Sequence, residues 1–425
     1  MRKGLTFRVV GLALALMLFG VACGSSDSGG TNAGGTGSSE GSEDDTMSSD
    51  MAEAASVDSP AATLTRDLTH LLQLHEYNAA IALSEAVKAG GDLEDPTVMA
   101  AVKALDDNTI ALSKAIESFY GPDAGKQFLD LWRAHIGFFV DYTLASATGD
   151  EAAAKKAEKD LDGYRADFGA LIEGATEGEL TQDAVAEALD VHVKSTLDVI
   201  DSLVAGKTDV FDKLQVAAGH LPGLATALAG GIATQQDLEG SADDPASNLQ
   251  RDLTALLDGH EYFAGIALYE AVQAKGDLKD PVVAAVVKAL DDNSVSLSKA
   301  IESVYGPAAG KQFLDLWRAH IGFFVDYTLA SATGDEAAAK KAEKDLDGYR
   351  ADFGALMEGA TEGGLSQEAV ADVLDVHVKS TIAAIDSIVA ADGKAFDKLQ
   401  TAANHLPGVA TAISGAIVQQ FPEKF

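Results

Sequence analysis

Apolar side chains recur every three or four positions through most of this chain, and no stretch alternates with period two, so the pattern is that of helices packed by one face. The stripe Leu64, Leu68, Leu71, Leu72, His75, Ala79, Leu83 and Ala86 predicts a first helix, closed at Gly90-Gly91. Asp95-Pro96 supplies a capping carboxylate and a first-turn proline, opening a second helix on Val98, Val102, Leu105, Thr109, Leu112, Ile116 and Phe119 that stops at Tyr120-Gly121-Pro122. A third carries Phe128, Leu131, Trp132, His135, Phe138, Phe139 and Tyr142 and ends at Gly149. Asp150 caps a fourth, with Ala157, Leu161, Tyr164, Phe168 and Leu171 on its stripe. Thr181 caps a fifth, on Val185, Leu189, His192, Thr196, Val199 and Leu203. A sixth spans about 208–232 and is interrupted or kinked at His220-Leu221-Pro222-Gly223, because proline lacks the N–H a helix interior needs.

The same text then runs again. His75 pairs with His260, His135 with His320 and His192 with His377 at one constant offset, and Ala124–Leu171 recur unchanged as Ala309–Leu356. The expected architecture is therefore all-α, a tandem pair of antiparallel helical bundles with about six helices per copy. The first copy covers 61–238, a short linker 239–248, and the second copy 249–425. Ahead of them, 23–60 is Gly, Ser, Thr and acidic residues with almost no large apolar side chain, too poor in apolar area to fold, and reads as a disordered tether.

Residues 1–22 have the form of a signal peptide. Arg2, Lys3 and Arg8 make a basic start, Val9 to Val21 an apolar run, and Ala22 precedes the sole cysteine, Cys23. That arrangement resembles the lipobox of bacterial lipoproteins, although Gly20 stands where leucine is usual. The resemblance implies cleavage before Cys23, lipidation of its thiol, and anchorage to the extracytoplasmic face of a cell membrane. Beyond the leader no stretch looks apolar enough to span a bilayer. With Cys23 lipidated no thiol remains for disulfides, metal ligation or catalysis.

The 425 residues carry a formal charge of −35, and a chain shorn of its basic leader would be more negative still. Such a surface repels phosphate backbones, which excludes nucleic acid as a partner. No H-E-x-x-H or P-loop pattern occurs, nor the Glu-x-x-His pairs of di-iron bundles, and without Cys-x-x-Cys-His there is no covalent haem attachment. A named enzymatic activity has no support, and no protein partner is indicated.

What chemistry remains lies in the histidines. Eight of the nine form four pairs across the two copies: His75 with His260, His135 with His320, His192 with His377 and His220 with His405. The ninth, His70, faces Ala255 in the repeat. Three of the four pairs lie in flanks where neighbours have drifted, as in Leu74 against Gly259 and Asn78 against Phe263. Three positions per copy sit on the apolar stripe of a different helix, and stripes converge in a bundle. Gathered neutral imidazoles are most simply satisfied by an ion that accepts one nitrogen from each. The expectation is one metal site per copy, with Glu76, Asp141 and Asp190 as supporting carboxylates, and Glu261, Asp326 and Asp375 in the second copy. Glu76 follows His75 by one residue and so diverges from it by about 100° around the helix, which suits orienting more than ligating. A site of imidazoles without thiolate suits zinc or copper(II), with iron a further candidate. The competing reading is that the imidazoles bond to carbonyls or to Tyr77, Tyr142 or Tyr164 and only fix helix register.

The run Leu131-Trp132-Arg133-Ala134-His135-Ile136-Gly137-Phe138-Phe139-Val140-Asp141-Tyr142, with His75-Glu76-Tyr77, Tyr120-Gly121-Pro122 and Ala218-Gly219-His220-Leu221-Pro222, resembles a family of secreted bacterial all-helical repeat proteins that has no established activity. The resemblance covers both copies. It implies the helical repeat fold and, weakly, copper among the candidate ions, but assigns no role to any residue.

Overall fold

The computed structural model describes residues 56–425, and all of its regular elements are helices. The leader 1–22, Cys23 and the tether as far as residue 55 lie outside the described residues.

The first copy contains α1 (Pro60–Lys88), α2 (Pro96–Tyr120), α3 (Pro122–Thr148), α4 (Glu151–Ala175), α5 (Gln182–Val204), α6 (Val210–Gly219) and α7 (Leu221–Gln235). The second repeats it as α8 (Pro245–Gln273), α9 (Pro281–Tyr305), α10 (Pro307–Thr333), α11 (Glu336–Ala360), α12 (Gln367–Ala390), α13 (Ala395–Ala403) and α14 (Leu406–Gln420). The boundaries follow local chemistry. Asp95 accepts from the N–H groups of Thr97 and Val98 at 2.7 and 3.3 Å, Asp150 from Ala153 at 3.0 Å, and Thr181 from Ala184 at 3.3 Å. Each such cap satisfies an N–H that the helix cannot, worth about 1 kcal/mol. Gly149 ends α3 at φ +71°, in the left-handed region that glycine enters freely.

The sixth predicted helix is two. The chain turns at His220, which closes α6 and opens α7, with Pro222 in the first turn of the new helix. Val210–Gln235 is, by length and composition, apolar enough to cross a bilayer, which the sequence reading had not expected of any segment past the leader. It is broken at this turn and more than half buried against the bundle, as suits a core element of a folded domain.

The two copies pack on each other through α1 and α8. The sequence predicted one buried stripe on α1, yet residues all around it are buried, including Tyr77, Asn78, Ile81 and Glu85 on the face away from that stripe. The second face meets its own duplicate. Tyr77 and Tyr262, equivalent in the repeat, stack at 5.0 Å. Around them contacts recur in exchanged form: Arg66 donates to Thr411 at 2.9 Å and Arg251 to Thr226 at 3.0 Å, while Lys103 meets Asp397 and Lys288 meets Asp212, each at 3.1 Å. Such exchange of equivalent partners defines an approximate two-fold axis between the copies. One apolar cluster runs across that axis, from Leu74, Phe211 and Leu214 to Phe263, Phe396 and Leu399.

Candidate metal centre

Short turns make α1, α3 and α5 neighbours, so their apolar stripes face one interior line. Each stripe carries one histidine there: His75 from the middle of α1, His135 from α3 and His192 from α5. All three are buried, and one ligand nitrogen from each lies within 4.8 Å of the other two. His260, His320 and His377 form the same triad in the second copy. These triads could each hold a metal ion.

The Nε2 atoms of His75 and His135 are 3.3 Å apart, and those of His260 and His320 are 3.2 Å apart. Two imidazole nitrogens at about 2.0–2.1 Å from one tetrahedral ion stand about 3.3–3.4 Å apart, so the spacing is that of an ion's coordination edge. It is also the length of a hydrogen bond. The indole N–H of Trp132 donates to His75 Nδ1 at 3.2 Å, and Trp317 to His260 Nδ1 at 3.3 Å. Indole is a donor only, so Nδ1 of His75 is bare, its proton sits on Nε2, and that N–H donates to His135 Nε2.

His192 is held differently. Its Nδ1 lies 3.5 Å from Glu76 Oε2, and Glu76 accepts from the Thr196 hydroxyl at 3.3 Å. Glu76 thus stands beside Nδ1 of His192, where, were an ion to take Nε2, a carboxylate could orient the ring from the other side. Neither nitrogen of His192 makes a hydrogen bond among the described residues. His377, Glu261 and Thr381 repeat the set, again with 3.5 Å between imidazole and carboxylate.

Burial governs the protonation states, because it penalises the charged form of every group. It drives His75 and His260 down to about 3. His135, His192, His320 and His377 are also held well below the ordinary imidazole value, by burial first and by the neighbouring imidazoles second. Burial pushes the Glu76 carboxyl up to about 7 and Glu261 to about 8, the threonine hydrogen bonds opposing. At neutral pH the triads are therefore uncharged, and His75 and His260 offer Nε2 to a cation only once the proton there is displaced.

The other predicted site residues fall elsewhere. His220 and His405 are not in the triads. Their rings lie 5.8 and 5.6 Å from His192 and His377, half-buried at the helix breaks. They stand as near to those rings as the other triad members do, which lie 6.0 and 6.3 Å from His192, but they do not join the sets whose nitrogens all lie within 4.8 Å of one another. Asp141 and Asp326 point to solvent, because six residues beyond His135 or His320 the helix has turned to its outer face. Asp190 and Asp375 are surface partners of Arg165 with Lys194 and of Arg350 with Lys379. Of the predicted carboxylates only Glu76 and Glu261 reach an imidazole. None of the three candidate tyrosines bonds to one either. Tyr77 stacks on Tyr262, Tyr142 donates to Asp201 at 2.9 Å, and Tyr164 lies flat on His135 at 4.6 Å with its hydroxyl unpaired among the described residues.

Two contributors escaped the sequence reading. Trp132 reads as core because it lies on the apolar stripe with Phe128, yet its indole N–H sets the tautomer of His75. His70 reads as a drifted position, yet it forms a buried 2.9 Å pair with Asp258 between the copies. The available signal was joint departure from the repeat, since His70 faces Ala255 and Asp258 faces Gln73. No family model, no curated protein sequence and no solved structure matches the chain.

Proposed function

We propose that this protein is a lipid-anchored extracytoplasmic lipoprotein that binds two metal ions, one per copy, at His75, His135 and His192 and at His260, His320 and His377. It belongs in this reading to the secreted helical repeat family that its motifs resemble, and the acyl group on Cys23 holds the paired bundles at the membrane. The observation that carries the metal reading is the meeting of three buried, uncharged imidazoles from three helices within 4.8 Å, made twice. Ligand chemistry favours zinc or copper(II) over copper(I), with iron third. The experiment is elemental analysis of protein expressed without a His tag under zinc, copper and iron supplementation. About two ions per chain are expected, falling to none in a variant with His135→Ala and His320→Ala. Equal metal content in both proteins refutes the reading.

A second reading has its own observation. The chain Trp132 to His75 to His135 closes two imidazoles into hydrogen bonds without an ion. On that reading the histidines fix helix register, and the protein is a non-catalytic structural or partner-binding lipoprotein. It leaves His192 and His377 with neither a hydrogen-bonded Nδ1 nor a purpose for the carboxyl beside them, which is why metal binding is preferred.

A further inference from the structure

Between the two copies lies a cavity of about 310 Å³ that has no part in the triads. It straddles the axis that relates the copies, because equivalent side chains line it from both sides: Ile81 and Ile266, Phe211 and Phe396, Leu214 and Leu399. Its floor is apolar. At its rim stand the exposed Lys88 and Lys207 with Val282, which is 39% exposed, so the chamber is open to solvent at that end. Loose packing does not explain it, since a methyl group added to Gly265 in its wall would lie 2.4 Å from a side-chain carbon of Leu399. A void kept in a core costs stability, and a ligand that fills it restores some.

The polar part of the lining gathers around Lys88. Its ammonium donates to Glu85 at 2.8 Å and to Glu270 at 2.5 Å, and the Tyr269 hydroxyl donates to Glu85 at 3.1 Å. Glu85 and Glu270 are equivalent in the repeat, but Lys88 faces Gln273 and Tyr269 faces Ser84. The two residues that hold the carboxylates have thus both departed from the repeat, and the chamber has one polar arrangement instead of two related by the axis. An ammonium carries three N–H donors, and the carboxylates take two of them. The third is left for an incoming oxygen.

Charge and volume set the class of ligand. Lys88, with Lys207 on the rim, matches the two carboxylates, so no charge is left over to compensate an ionic head taken out of water. An apolar cavity of about 150 Å³ holds a benzene ring, so one of about 310 Å³ holds about a dozen carbon atoms. Small-molecule sites favour domain interfaces and combine an apolar wall with a few placed polar groups, as here. We propose that this chamber binds one small uncharged amphiphile, an alcohol or ester of about ten carbon atoms, with its chain between the paired isoleucines and phenylalanines and its oxygen on Lys88.

Decan-1-ol is the probe, titrated into the full chain by calorimetry, and one molecule per chain is expected. Decanoate and decylammonium should each bind at least about tenfold more weakly at high salt, where attraction to the acidic surface is screened. Ser84→Phe fills the chamber from a half-buried position in its wall and should weaken decan-1-ol binding at least about tenfold, with circular dichroism confirming the fold. Nuclear Overhauser contacts from decan-1-ol to the methyl groups of Ile81 and Ile266 should locate it on the wild-type chain, independently of any substitution. No binding up to the solubility limit of the alcohol overturns the proposal. Full binding by a folded Ser84→Phe variant, or the absence of contacts to both isoleucines, overturns the site. Equal affinity for either charged probe overturns the uncharged class.

Discussion

Replacing Trp132 and Trp317 by phenylalanine should strengthen metal binding, the opposite of what trimming a buried core aromatic would suggest. His75 Nδ1 receives the indole N–H at 3.2 Å, so its ring proton occupies Nε2, the atom that faces His135. An ion at the triad must displace that proton. If the proton leaves, His75 binds as an imidazolate, one proton is released per site, and affinity rises tenfold per pH unit. If it moves to Nδ1 instead, the indole N–H is stranded in the core, where an unpaired donor costs about 1–3 kcal/mol. Phenylalanine removes the conflict on either path. The gain in affinity is then roughly five- to 150-fold by the 1.4 kcal/mol per decade conversion. Zinc calorimetry at pH 7 in two buffers of different ionisation enthalpy measures both affinity and proton count. Trp132 also stacks on Phe128 at 4.9 Å, so the variant will melt lower, and circular dichroism must confirm the fold at the assay temperature. Equal or weaker zinc binding with an unchanged proton count refutes the reasoning and removes His75 Nε2 from the ligand set.

Acid should weaken the fold. His75 and His260 titrate near 3 in the folded protein and near 6.5 once unfolded, so only the unfolded chain takes up their protons between those values, and stability is lost as pH falls from 6.5. Glu76 and Glu261 act with the opposite sign. Their stability is complete below the unfolded value of 4.5 and is lost as pH rises through about 7 and 8. Urea unfolding of metal-free protein from pH 7 to 5 should therefore show a net fall, since six imidazoles outnumber two carboxyls; a flat profile contradicts the buried neutral triads. Glu76→Gln with Glu261→Gln should steepen that fall, by up to about 3 kcal/mol per pH unit for two groups, and an unchanged slope would show that these carboxyls do not hold their protons. His220→Ala with His405→Ala should leave two ions per chain, whereas loss of metal in elemental analysis would return these residues to the ligand set. Tyr77→Ala, which opens the stack between the copies, should cost about 3–5 kcal/mol in urea unfolding, and a loss under 1 kcal/mol would mean the copies do not depend on this contact.

Much of this protein follows from local rules. Helix starts at Asp95, Asp150 and Thr181, the stop at Gly149, and the break at Pro222 come from caps and φ preferences that act within one turn, so the sequence alone locates them. Periodicity likewise puts His75, His135 and His192 on inward faces, and the repeat shows that whatever they do is done twice. Periodicity reports a residue's face on its own helix and nothing about the height or rotation of the helix opposite. Tertiary packing therefore decided that these three histidines meet, that His220 comes up beside His192 without closing on all three, and that Asp141 and Asp190 turn outward while Glu76 turns in beside a histidine on another helix. It also decided the second buried face of α1, because a helix that packs against its own duplicate shows that face only once both copies are in place.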